Sequence, residues 1–202
     1  MDLNNLILFF VIIVFGLFFF KYFTLILRKY NPKILIDDQL SKHQAFHQSP
    51  IPEVGGLGIF FSFLIIYFYF LLFKNIIFFE YLTFCTLIFF IGFMDDLRIN
   101  IRATIRLALM IVVLVLLVKY NNFYVENTGI EILNNWIANS KMFSLIFICL
   151  CFLFIINGAN LIDGYNGLLG IHSLIILTNL FLINYIGENV DLANLLLFTI
   201  FI

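Results

Sequence analysis

The sequence predicts an all-α protein, a polytopic bundle of transmembrane helices with six full spans and the start of a seventh. Three observations carry this. Of the 202 residues, 63% are hydrophobic, 11% are charged and 28 are Phe, a composition far outside that of soluble domains. Several long runs carry no charge; residues 142–162, at about 1.5 Å each, are enough to cross a hydrocarbon core of roughly 30 Å. Lys and Arg, finally, collect in alternate junctions between those runs.

Taken in order, the spans lie between charges at residues 6–27, 54–73, 75–94, 99–118, 142–162 and 168–186. The first follows Asp2 rather than a basic segment and lacks a small-residue cleavage site, so it is read as a retained helix. The third tolerates Glu80 near its outer end, and the fourth lets Arg102 and Arg106 snorkel. Residues 192–202 begin a seventh span that stops about halfway across a bilayer, at about 1.5 Å per residue. The chain is therefore expected to be one integral membrane domain, 1–202, forming the N-terminal part of a longer protein.

Orientation follows from the cations. Arg28, Lys29, Lys33 and Lys42 occupy the first loop, and Arg98, Arg102 and Arg106 the third junction; the other side has only Lys74, Lys119 and Lys141. The first set is expected to be cytoplasmic and the N-terminus outside. The polar segment 120–141, Asn-rich and carrying Trp136, suits a noncytoplasmic loop at the interface. Cys85, Cys149 and Cys151 sit in apolar runs without metal-like spacing and read as small core residues. The net charge of −1 conceals this asymmetry, and nothing in it points to nucleic acid.

Polar groups at the ends of such spans are costly unless they face protein, water or ligand. The densest set is NGANLIDGYNG, Asn157 to Gly167, where Asn157, Asn160 and Asp163 crowd one rim and Gly158, Gly164 and Gly167 are expected to unwind the helix end. A second set, GFMDDLRINIRATIR, puts Asp95 and Asp96 at the end of the third span. Adjacent carboxylates do not both ionise cheaply without a cation, and successive helical residues diverge, so one should face the reacting centre and the other support it. Asn100 is a candidate cap for the fourth helix, and Arg102 and Arg106, at i and i+4, a candidate phosphate clamp. A third set is the first loop, KHQAFHQSPIPEVGGLG, in which Lys42 and His43 would meet anionic groups ahead of a Pro-Gly-Gly turn. His43 and His47 have no third ligand placed for zinc, and His172 reads as a packed core histidine. On the expected topology all three sets reach one cytoplasmic rim.

These three ordered motifs resemble the polyprenyl-phosphate N-acetylhexosamine-1-phosphate transferases, relatives of the phospho-N-acetylmuramoyl-pentapeptide transferase. The resemblance implies transfer of a sugar phosphate from a UDP-N-acetylhexosamine to undecaprenyl phosphate with release of UMP, in a bacterial inner membrane. It implies that Asp95 and Asp96 activate the lipid phosphate, that Asn157 and Asp163 hold Mg²⁺, with Mn²⁺ as a substitute, and that Asp163 also takes part in catalysis. Asn160 and Asn166 would contact the donor, Asn166 standing where many bacterial relatives have a second Asp and where other relatives with Asn read uracil. IPEVGG departs from the peptidoglycan branch and favours the polysaccharide-initiating one. The family has ten or eleven helices and a later Gly-Asp-x-Gly-Ser loop, and homodimers are compatible with this reading. Two other readings stay open: an ion- or proton-coupled transporter, and a noncatalytic scaffold.

Overall fold

The computed structural model describes residues 3–30, 36–37, 51–52, 54–97, 102–162 and 167–202. Eight α-helices make up almost all of it: α1 (Leu3–Tyr30), α2 (Gly55–Tyr69), α3 (Phe79–Asp96), α4 (Ala103–Asn121), α5 (Glu131–Asn139), α6 (Lys141–Ile162), α7 (Leu168–Ile186) and α8 (Val190–Ile200). A two-residue antiparallel pairing of β1 (Ile36–Asp37) with β2 (Ile51–Pro52) ties the first loop to itself. Five helices are long and apolar enough to cross a membrane, within α1, α2 with its following turn, α4, α6 and α7, whereas α3 and α8 contribute shorter apolar stretches. The polytopic all-α expectation therefore stands.

Helix is the form an apolar chain must take in lipid, since it satisfies every backbone N–H and C=O within the segment. The side chains are then free to face outward, and they do: Phe10, Leu17, Leu116, Phe154 and Ile183 are all exposed. Most of the buried side chains fall into three small clusters. Leu8 and Ile12 of α1, Ile66 of α2, Phe70 after it, and Leu195 and Phe198 of α8 form one; Leu114 and Val118 of α4 with Leu145 and Cys149 of α6 form the second. Val54 and Leu57 form the third, against Phe19 and Phe23 of α1 and Phe89 and Phe93 of α3. Gly58 marks the tightest crossing, because a Cβ there would lie 2.7 Å from the Phe20 ring. Small residues at such crossings let membrane helices approach closely.

The boundaries correct several sequence expectations. The third helix begins at Phe79 rather than Asn75, because α2 runs on through a π-helical turn, Phe70–Lys74, and closes on Asn75 in the left-handed conformation (φ 53°). Asn tolerates this backbone better than other residues with a Cβ. Ile76 and Phe78, apolar enough to read as span, instead pack half-buried on the first cluster as a connection between helices. The fourth helix starts at Ala103 with Arg102 at its N-cap position, not Asn100, which lies outside the described residues. Arg102 makes no side-chain cap; its carbonyl receives the N–H groups of Ile105 (2.9 Å) and Arg106 (3.1 Å).

The segment read as an interfacial loop contains α5. Its apolar residues split between two directions: Ile137 is buried toward the bundle, while Ile132 and Trp136 are exposed. Trp136 meets Phe143 of α6 edge to face at 5.6 Å, which fixes the short helix on the start of α6.

Candidate functional site

The helices carrying the acidic and amide motifs finish at one level. Phe84 of α3 and Phe152 of α6 meet with ring centroids 4.8 Å apart. From Phe84 to Met94 and from Phe152 to Ile162 is the same number of residues, so at one rise per residue the last turns of the two helices end side by side. Helix α4 runs antiparallel between them, since its C-terminal half, at Leu114 and Val118, packs on the N-terminal half of α6, at Leu145 and Cys149. The start of α4 at Arg102 thus reaches the same end of the bundle, as does the start of α7 at Gly167. Two helix C-termini and two helix N-termini converge there.

Asp95 and Asp96 are the last two residues of α3, so each backbone carbonyl there lacks a following helical turn to bond. Arg102 is exposed and Arg106 half-buried. Arg102 is the N-cap and Arg106 follows one turn on, its N–H bonded to the Arg102 carbonyl, so both cations stand at the mouth of α4. Their charges add to the positive end of the helix dipole, which repels cations and attracts anions.

Asn157 is exposed on α6, and its Nδ2 donates to the Leu153 carbonyl at 2.8 Å. That bond uses one of the amide's two N–H donors and leaves its Oδ1 for another partner. Helix α6 continues unbroken past Gly158 to Ile162, so the expected unwinding at Gly158 is absent; with lipid on one side, keeping every i to i−4 bond outweighs glycine's weak preference for other conformations. Asn160 follows one turn later on the same helix. Gly167 does break the chain, at φ 76°, as the N-cap position of α7. Asp163, Gly164 and Asn166, and Lys42, His43 and His47 of the first loop, lie outside the described residues.

Among the described residues no three His, Cys, Asp or Glu side chains meet as a metal set. His172 is exposed on α7, a helix with no buried residue, and is not the packed core histidine expected. Sequence reasoning could have found this. His172 and Asn179 fall two turns apart on one face of a span, where a buried helix would hold apolar groups.

No curated protein and no solved structure matches the chain. A family model described as glycosyl transferase family 4 does match, over residues 78–202, more than half of the chain. The match takes in α3 with Asp95 and Asp96, both arginines at the mouth of α4, and the whole motif from Asn157 to Gly167, and it leaves the first loop outside. The helices that converge at one end of the bundle are therefore those of a recognised catalytic family, and the chain belongs to glycosyl transferase family 4.

Proposed function

We propose that this membrane-embedded sugar-phosphate transferase moves an N-acetylhexosamine-1-phosphate from a UDP-sugar to undecaprenyl phosphate, releasing UMP and initiating a cell-envelope polysaccharide at the cytoplasmic face of a bacterial inner membrane. The observation that carries the reading is the meeting of α3, α4, α6 and α7 at one end, in a chain of glycosyl transferase family 4. A lipid phosphate sits at headgroup level and a nucleotide sugar arrives from water, so a site joining them belongs at the rim of a helix bundle. An ion-coupled transporter would place its polar groups near the bilayer midplane instead.

In this reading an oxygen of the lipid phosphate attacks the sugar-bearing phosphorus of the donor. A new diphosphate bond forms, the bond from that phosphorus to the UMP oxygen breaks, and UMP leaves. Asp95 or Asp96 takes up or holds the acceptor's proton and aims its oxygen, the other carboxylate supporting the first. Arg102 and Arg106, with the N-terminus of α4, hold phosphate oxygens, and Lys42 and His43 do the same from the first loop. Asn160 and Asn166 orient the donor. The free Oδ1 of Asn157 is a neutral oxygen donor of the kind Mg²⁺ prefers, and with the Asp163 carboxylate it would hold the ion. Bound there, Mg²⁺ supplies charge neutralisation for the diphosphate and the departing UMP.

The test is transfer of labelled N-acetylglucosamine phosphate from UDP-N-acetylglucosamine into lipid extract, by membranes holding the protein expressed from its complete reading frame. Asp95→Asn and Asp96→Asn should each lower transfer by about 10²-fold or more while leaving insertion unchanged. Near-normal transfer by both would remove the acid-base assignment, and absence of any lipid-linked product from the unaltered protein would remove the donor and acceptor assigned.

A further inference from the structure

At the opposite end of the bundle, between the connection that follows α4, α5 and the start of α6, lies an open cleft of about 540 Å³. The size is within the range of small-molecule and headgroup sites, roughly 300–1,000 Å³. Its wall is polar in an uneven way. Glu126 and Lys141 both line it and both are exposed, yet among the described residues they form no ion pair with each other. The cleft thus holds one anion and one cation with space between them.

The side near Lys141 is short of acceptors. Ser144 lines the cleft at 5% exposure, and its hydroxyl has no partner among the described residues, although its backbone N–H bonds the Ser140 carbonyl at 3.0 Å. The Ser144 hydroxyl is therefore an uncommitted donor in the cleft wall, free to bond a group that accepts. Lys141 is also the first residue of α6, where the helix N-terminus adds positive potential. Everything on this side calls for an anion, and Glu126 on the other calls for a cation.

The level in the membrane narrows the occupant. Trp136 (56% exposed) and Met142 (67%) are next in sequence to the lining residues Ile137 and Lys141, and Ile132 (64%) is exposed on the same short helix α5. A short helix with an exposed Trp and a polar remainder belongs at the headgroup layer. We propose that the cleft binds the headgroup of a zwitterionic phospholipid with a primary ammonium, a phosphoethanolamine group. Its phosphate lies toward Lys141, Ser144 and the first turn of α6, and its ammonium toward Glu126. The inference is independent of the transferase reading, since the cleft is a full helix length from the converging motif ends.

Native mass spectrometry of the detergent-purified protein tests it, with equal amounts of phosphatidylethanolamine, phosphatidylglycerol and phosphatidylcholine bearing the same acyl chains. The ethanolamine lipid should be retained about tenfold over phosphatidylglycerol, the effect of one hydrogen bond between charged groups. Glu126→Gln should erase that preference, Lys141→Gln should weaken both lipids, and Ser144→Ala should weaken both by a smaller factor. Helicity by circular dichroism should be unchanged in all three variants. Equal retention of the ethanolamine and glycerol lipids, equal retention of the choline lipid, or an unaltered preference in Glu126→Gln would each overturn the proposal. Displacement by soluble glycerophosphoethanolamine at the same midpoint as the lipid would show a free headgroup as the occupant and overturn the membrane source.

Discussion

The two ends of the bundle are built on different principles. At the α5 end, connections are closed by left-handed residues, Asn75, Asn122, Gly129 and Glu188, and by short side-chain bonds. Asn134 of α5 accepts from both the N–H and the hydroxyl of Thr128 at 2.8 Å and donates to Asn127, whose carbonyl oxygen also receives the Gly129 N–H. Tyr69 likewise donates to Asn5 at 2.7 Å across α2 and α1. At the motif end, the polar residues sit on helix termini that meet side by side, and the one amide described there, Asn157, bonds only its own helix. Polar groups that stabilise a fold are spent on each other, whereas groups kept for a ligand hold back an acceptor or a charge. That is how asparagines of one chain serve two purposes.

The sharpest way to break this contrast is to place its ends on opposite sides of the membrane. In a cysteine-free background, Asn135→Cys on exposed α5 should be modified by an impermeant reagent in intact cells, and Asn166→Cys only after lysis. The expectation follows from the asymmetry of Lys and Arg. The reverse pattern would put the motif end outside, away from any cytoplasmic nucleotide.

Metal dependence is the next largest effect. Excess chelator should abolish sugar-phosphate transfer and Mg²⁺ or Mn²⁺ restore it. Asn157→Ala should then raise the metal concentration needed by about tenfold or more, without lowering the amount of protein in the membrane. An unchanged midpoint would return Asn157 to the class of Asn179 and Asn184, whose Nδ2 groups also cap the carbonyl one turn back at 2.8 Å and which carry no assigned role.

Much of this was legible in the sequence because lipid is a strict solvent. Residues 168–186 were read as a span, and α7 occupies that range, since uncharged length alone decides a helix there. Asp95, Asp96, Asn157 and Asn160 could be assigned to helix ends from their position beside long apolar runs. Where the reading failed, local chemistry was competing with hydropathy. Residues 75–78 are apolar but follow an Asn that turns left-handed, and α5 was hidden because its short period mixes Asn with Ile and Trp. The cleft at Glu126 and Lys141 was out of reach altogether, as its walls come from the connection after α4, from α5 and from α6 and meet only when the bundle forms.

A smaller effect tests the self-satisfied end. Asn134→Leu removes the acceptor of the Thr128 N–H and the donor to Asn127, and should destabilise the protein by about 1–3 kcal/mol. The loss should appear in thermal unfolding in mild detergent, with transfer activity below the transition unchanged. A fall in activity as large as that of the motif variants would mean the two ends are coupled and that their division of labour is wrong.

The smallest effects separate two glycines of one motif that the sequence treats alike. Gly167 has φ 76°, where a Cβ meets the backbone, so Gly167→Ala should cost about 1–2 kcal/mol although nothing lies within 4 Å of the added atom. Gly158 is helical with equally open surroundings, and alanine is the better helix former, so Gly158→Ala should be neutral or stabilise by up to about 1 kcal/mol. Unfolding temperatures of the two variants should therefore move in opposite directions. The activity of Gly158→Ala carries further information. If transfer survives, the unbroken α6 is the working form and Asn157 acts from a regular helix. If the variant is more stable but inactive, α6 must open at Gly158 during turnover, and the motif end would differ from the α5 end in motion as well as in chemistry.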